Sequence, residues 1–354
     1  MENRKIIRRE PLTDTQFLMA ITICIFVGMY LMAMLLFKGG FLHAQQVFDM
    51  LNDNASLIIV ACGLTIVMIG RGIDISVGAV TSLVVMSCVL YLNKGGSIAV
   101  SVMLALGIGL AFGVVQGFLV SYLEIQPFIV TLAGMFFARG MTTILSVNPQ
   151  KVEHEDFAAL RNTKIVIPFL GYIAKNGNLV PARVELGVVV ALLCLIAVFW
   201  LLKFHKLGRG LYAIGGNPGS ALMLGINVKR TRFLSYVISG LLSGLAGFVF
   251  LMHKPAGNAS VAMRSEMDAI AASIIGGTLL TGGVGNVIGT FFGVMILATI
   301  QKIIALSPLN ESWWQDMASG ALLGFFIMLQ SVVLSSREKR RAKKSAVTAA
   351  LQKK

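Results

Sequence analysis

FLMAITICIFVGMYLMAMLLF, Phe17 to Phe37, runs for 21 residues without a charge. A helix rising 1.5 Å per residue needs about 20 such residues to cross a ~30 Å hydrocarbon core. The apolar centre of a signal peptide is shorter, at ~7–15 residues. No clear A-x-A cleavage pattern follows Phe37, so this run reads as a retained anchor. Comparable runs recur along the chain, and approximate spans fall at 17–37, 55–70, 74–92, 98–122, 127–146, 185–202, 233–252, 267–282, 286–306 and 313–335. The composition agrees: 56% of the 354 residues are hydrophobic, 13% are charged, and the mean hydropathy is +0.82. Soluble domains carry roughly 25% charged residues, and one core cannot bury so much apolar surface. The fold class is therefore all-α, a polytopic membrane protein of about ten transmembrane helices. A disordered chain, a disulfide-stapled module and a cytoplasmic enzyme are excluded.

The formal charge of +14 suggests nucleic acid until its distribution is considered. Arg4, Lys5, Arg8 and Arg9 precede the first span. Lys203, Lys206, Arg209, Lys229, Arg230 and Arg232 share a stretch without any acid, and eight more cations lie between Arg337 and Lys354. Each block adjoins a long apolar run. That is the bias of cytoplasmic loops, which sets orientation during insertion. With ten spans both termini share one side, and 203–232 after the sixth span falls there too, so all three blocks fit one topology with cytoplasmic termini. No nucleic acid is expected, and the basic tail reads as an anchor to anionic membrane lipid. The polar stretch from Val147 to Arg183 faces outward, as a connecting loop or a platform for an external partner.

No residue set supports catalysis or a metal. Cys24, Cys62, Cys88 and Cys194 lie inside apolar runs without C-x-x-C spacing, as small hydrophobes packed between helices. His43, His154, His205 and His253 fall in expected loops on both sides of the membrane. There is no H-E-x-x-H and no G-x4-G-K-[ST], so the chain does not cradle ATP in a P-loop.

Two spans are interrupted by glycine, at GRGIDISVG (Gly70–Gly78) and GGVGNVIG (Gly282–Gly289). Irregular backbone at membrane depth is tolerated where protein or water satisfies it, and paired interruptions point to a transport path. Tight helix packing is the plainer alternative. Charge at that depth is costly and therefore a candidate for function. Asp74 follows Arg71 by three residues, close enough to neutralise it if the stretch is helical. Arg139, twelve residues into its span, needs carboxylate or carbonyl partners from another helix, and Asp74 is the expected one. Glu266 and Asp268 suit a helix N-terminus. In the 203–232 loop, Asn217 suits an N-cap, Pro218 the first helical position and Gly225 the C′ stop. The expected product is a two-turn helix, Pro218 to Leu224, whose Leu222, Met223 and Leu224 fit a partner's groove or lie on lipid.

GLTIVMIGRGIDISVG (Gly63–Gly78), PFIVTLAGMFFARG (Pro127–Gly140), GRGLYAIGGNPGSALMLGINV (Gly208–Val228), EMDAIAASIIGGTLLTGGVGNVIGT (Glu266–Thr290) and SWWQDMASGALL (Ser312–Leu323) follow one another in an order shared with a known family. In these stretches the chain resembles the permease subunits of bacterial ABC sugar importers of the ribose and galactose type, and within them the galactofuranose importer permeases. The resemblance implies a cytoplasmic N-terminal segment (1–16), one transmembrane permease domain (17–335) with its coupling loop at 203–232, and a basic tail (337–354). It implies a bacterial inner-membrane location, a second permease subunit (identical or homologous), a periplasmic sugar-binding protein and a cytoplasmic ATP-binding subunit that carries the ATP, so that this chain needs no cofactor. Gly215, Gly216, Asn217, Pro218, Leu222 and Leu224 would then couple to the ATPase. One departure stands out: Arg71 occupies the first glycine of the family's usual Gly-Gly-Ile-Asp-Leu-Ser. A neutral sugar calls for hydroxyl, amide and backbone partners, and the candidate path residues are Asp74, Ser76, Thr131, Arg139, Thr278, Thr281 and Asn286, with Thr81 beside them; each hydroxyl also serves helix packing. The rivals are an ion-coupled secondary transporter or channel, for which Asp74 would be the coupling carboxylate, and an integral membrane transferase.

Overall fold

The computed structural model describes residues 14–37, 41, 43–173, 179–307, 311, 313–329 and 331–332. The basic segment before residue 14 and the tail from 333 lie outside the described residues.

Among these residues the chain is a helical bundle with small antiparallel additions. In order it forms α1 (Asp14–Leu36), α2 (Ala44–Ile69), α3 (Val77–Asn93), α4 (Ile98–Ser121), α5 (Pro127–Leu145), β1 (Gln150–Lys151), α6 (Glu155–Asn162), β2 (Lys164–Ile173) and β3 (Leu179–Glu185). There follow α7 (Leu186–Phe204), α8 (Lys206–Gly216), α9 (Pro218–Met223), α10 (Val228–His253), β4 (Ala256–Gly257), α11 (Ser265–Ile275) and α12 (Val287–Leu306). A further helical stretch covers 313–329.

The expected spans overlap helix, except that residues 276–282 of the eighth are not helical and the end of the tenth lies outside the described residues. Among the described residues seven helices are long and apolar enough to cross a membrane: α1, α2, α4, α5, α7, α10 and α12. α3 has 17 residues and α11 has 11, because each adjoins one of the glycine interruptions. α2 begins eleven residues before the expected start at 55. Its extra turns are polar and pair with β3: Arg183 N–H donates to Gln45 Oε1 at 2.8 Å and Glu185 N–H to Asn52 Oδ1 at 3.0 Å. The stretch from 147 to 183, expected as a loop, holds α6 and the β2–β3 hairpin, with Lys164 opposite Glu185; β1 pairs with β4.

α2, α3, α10 and α11 form the core, while α1, α4, α5 and α7 keep apolar side chains such as Leu35, Met103, Phe136 and Ile196 on the outside. Cys62 and Cys88 are buried as expected, whereas Cys24 is exposed on α1. A close helix crossing joins α4 to α10 through Gly109, Gly113 and Gly117 on one side and Gly240 and Gly244 on the other. A Cβ on Gly109 would strike the Gly240 carbonyl, and one on Gly240 the Gly109 carbonyl. Small residues at four-residue spacing allow such approach.

The bundle has two distinct ends. At one, α8 meets both interruptions and α9 follows it. At the other lies the hairpin, where His253 closes α10 by pairing with Glu185 (2.8 Å) and Asp53 of α2 (3.3 Å). His154 and His205 accept backbone N–H groups at the starts of α6 and α8, so these imidazoles cap helices.

Candidate functional site

The two interruptions touch. α2 ends at Gly70, the chain turns through Arg71 (φ +64°), and Gly72 N–H returns to Val67 O at 2.9 Å. The backbone from Ile73 then runs without helix to Ser76, where α3 begins. The second interruption follows α11 and turns through Gly277, Gly282 and Gly283, all at positive φ, until Asn286 accepts Ile288 N–H and caps α12. Gly283 N–H donates to Ile69 O at 2.9 Å, so a carbonyl at the end of α2 is satisfied by the other interruption. Gly215, near the end of α8, is wedged between them, and any Cβ there would collide with Gly283 N and Ile69 O. This is why small residues must occupy 215, 282 and 283 together.

Arg71 does not neutralise Asp74, because the stretch between them is not helical. Its Nε donates to Gly215 O and Thr281 O, both at 2.9 Å, and its Nη2 to Gly216 O at 3.2 Å. Asp74 is 2% exposed. Oδ1 accepts from Ser76 N–H (3.1 Å) and Ser76 Oγ (2.7 Å), and Oδ2 from Ser239 Oγ of α10 (3.0 Å). Gln116 of α4 extends the cluster, with its Nε2 at 2.9 Å from Ser76 Oγ. Its amide is aimed across Gly134 of α5, where a Cβ would collide with it. The candidates Asp74 and Ser76 therefore belong to one buried polar cluster. Gln116 and Ser239 complete it and were absent from the sequence reading. Gln116 is the one side chain with four hydrogen-bonding positions in span 98–122, and that oddity was the available signal.

Arg139 lies elsewhere, and its partner is not Asp74. It donates to the carbonyls of Ala259 (3.1 Å), Val261 (2.7 Å) and Ala262 (3.2 Å), and its Nη2 is 3.9 Å from Glu266 Oε2. Glu266 sits in the first turn of α11 as expected, but it is 7% exposed and packs on Gly78, while Arg264 at φ +76° occupies the N-cap. The remaining candidates are dispersed. Thr131 and Thr81 bond carbonyls of their own helices, Thr278 Oγ1 is buried without a hydrogen-bond partner among the described residues, Thr281 offers its carbonyl to Arg71, and Asn286 caps α12.

The 203–232 stretch folds as its sequence suggests. Asn217 Oδ1 accepts Ser220 N–H at 3.0 Å, Pro218 opens α9, and Gly225 takes φ +77° just past its end. Leu222, Met223 and Leu224 are 65, 91 and 78% exposed. Beside them a groove of about 890 Å³ runs between α9, the α4–α5 turn and the start of α10, lined by Val120, Ile125, Leu222 and Ile226 among others. At its rim Lys229 bonds Glu124 at 2.9 Å and draws that exposed carboxyl below its ordinary range.

A model of the family described as branched-chain amino acid transport system / permease component matches residues 46–327, from the first turn of α2 to the last helical stretch. The chain belongs to this permease family. Its relatives include the inner membrane ABC transporter permease protein YjfF of Escherichia coli K12, 39% identical with 88% of this chain and 90% of the relative covered. The fructose import permease protein FruG of Bifidobacterium longum is 31% identical over 88% and 90%. The xylose transport system permease protein XylH of Escherichia coli K12 is 30% identical over 86% and 88%. No solved structure matches. The permease is thus a multi-pass inner-membrane component of an ABC transporter and not an enzyme, and its relatives FruG and XylH are permeases for fructose and xylose.

Proposed function

We propose that this permease forms, with a second permease subunit, the path of an ABC importer for a sugar of the ribose, galactose or galactofuranose type. A periplasmic binding protein delivers the sugar, and a separate cytoplasmic subunit binds and hydrolyses the ATP. The α8–α9 end and both termini face the cytoplasm, and the hairpin end faces outward. The observation that carries this reading is α9: a capped helix presenting three bare apolar side chains beside an apolar groove, in the most basic internal stretch of the chain. Apolar side chains so displayed fit the groove of a partner. The relatives' printed names favour sugars over the amino acids in the family's description.

Gly215, Gly216, Asn217, Pro218, Leu222 and Leu224 then serve ATPase coupling. Asp74, Ser76, Thr278, Thr281 and Asn286 line or shape the path near the interruptions, while Thr131 and Arg139 hold the helices that flank it. Movement follows ATP binding: the ATPase displaces α9, α8 moves with it, and the interrupted segments at its end change their packing.

Two measurements test this. Reconstituted with the ATP-binding subunit and binding protein, the permease should accumulate labelled sugar only with ATP; uptake by the chain alone, sustained by a proton gradient, would overturn the reading. The pair Leu222→Asp and Met223→Asp should lower co-purification of the ATP-binding subunit about tenfold or more, the loss of roughly 1.4 kcal/mol or more at a buried contact. Insertion should be unchanged, because both side chains already lie outside the bundle.

A further inference from the structure

Arg71 stands at the position where the resemblance leads to glycine, and its backbone holds φ +64°, a conformation that a side chain disfavours. Non-glycine residues persist in such conformations where the side chain is needed. Here the guanidinium reaches three carbonyls in two places: Gly215 and Gly216 at the end of α8, and Thr281 in the second interruption. The last carbonyls of a helix lack donors and carry the negative end of its dipole, so a cation is favoured there. Arg71 itself belongs to the first interruption. Three segments distant in sequence therefore converge on one planar fork.

The packing around it makes the direction of force matter. Gly215 abuts Gly283 and Ile69 so closely that movement of α8 toward the interruptions must displace both. Contact of that kind transmits a push and not a pull. The second interruption has its own tether to α8, since Tyr212 Oη donates to Gly285 O at 2.9 Å. Among the described residues, the hydrogen bonds that run from α8 to the first interruption are those of Arg71.

We infer that Arg71 is the positioning residue that draws the first interruption back with α8, so that both interrupted segments follow the ATPase in each direction of its cycle. This rests on the function proposed above. It does not place Arg71 in contact with the sugar. Without the guanidinium, α8 still pushes but no longer retrieves the Asp74-bearing segment, and ATP is spent without a matching delivery.

The test compares wild type, Arg71→Gly and Arg71→Lys, each reconstituted in liposomes with the ATP-binding subunit and the binding protein. The readout is ATP hydrolysed per molecule of labelled sugar taken up, which a merely structural defect leaves constant because both rates fall together. Glycine accepts positive φ freely, so Arg71→Gly should assemble normally, yet raise the ratio by about five-fold or more, the lower end of ordinary coupling effects. Arg71→Lys keeps the charge but lacks the planar fork and should fall between the two. An unchanged ratio in Arg71→Gly, a parallel fall in both rates, or failure of that variant to assemble overturns the inference. A wild-type complex that takes up no sugar with ATP would instead overturn the proposed function, and a variant effect could not then be mistaken for it.

Discussion

Gly240→Val is expected to abolish accumulation of folded permease. At this position of α10 a Cβ would strike the Gly109 carbonyl and lie 2.7 Å from Gly113 Cα, so the obstruction is backbone and no rotamer relieves it. Overpacking of a side-chain core costs about 1–3 kcal/mol; forcing two helices apart along the most extensive interface in the bundle should exceed that range. The control is Gly107→Val, two residues before Gly109 on the outer face of α4, where a Cβ meets nothing within 4 Å. Detergent-extracted yield and monodispersity should be near wild type for Gly107→Val and lost for Gly240→Val. Equal yields would show that α4 and α10 do not cross as described.

The second large effect is at Arg139. Replacing it by leucine removes donors from the Ala259, Val261 and Ala262 carbonyls and leaves Glu266 without its nearest cation, 7% exposed. Breaking a buried pair by removing one member costs about 3–5 kcal/mol, largely from the stranded charge. Arg139 retains some exposure and the pair is long, so the lower end, about 3 kcal/mol, is expected. Adding Glu266→Gln should restore part of the loss, since no net charge is then left buried. Unfolding of the two variants in mixed micelles by a denaturing detergent measures both steps. If Glu266→Gln brings no recovery, the ion pair is incidental and Arg139 serves the three carbonyls alone.

Much of the architecture was legible locally. Long apolar runs gave the helices, and one cap residue, one proline and one glycine delimited α9 to within a residue. Glycine also marked the two interruptions. What could not be read was pairing between distant segments. The i, i+3 spacing of Arg71 and Asp74 implied contact only if the backbone were helical, and the glycines that end α2 remove that condition. Arg139 required carboxylate or carbonyl partners, but nothing in a run of apolar residues says which segment supplies them, and Glu266 looked fully accounted for by its place at a helix start. The seam of Gly109, Gly113 and Gly117 against Gly240 and Gly244 was present as a spacing; its partner helix was not. Likewise the polar beginning of α2 looked like loop because its partners, the backbone groups of β3, lie more than 130 residues away.

The knot at His253 has a consequence for the molecule as a whole. α2 and α10 have 26 residues each, about 39 Å of rod at 1.5 Å per residue. One imidazole clasps both rods to β3, and Ser56 of α2 bonds Ala246 O of α10 partway along. At their far ends Ile69 O holds Gly283 and Tyr236 Oη holds Ile73 O. The α2–α10 pair thus links β3 at one end to both interruptions at the other through these hydrogen bonds and ion pairs. Displacement at either end is therefore carried by two continuous helices to the groups bonded at the other.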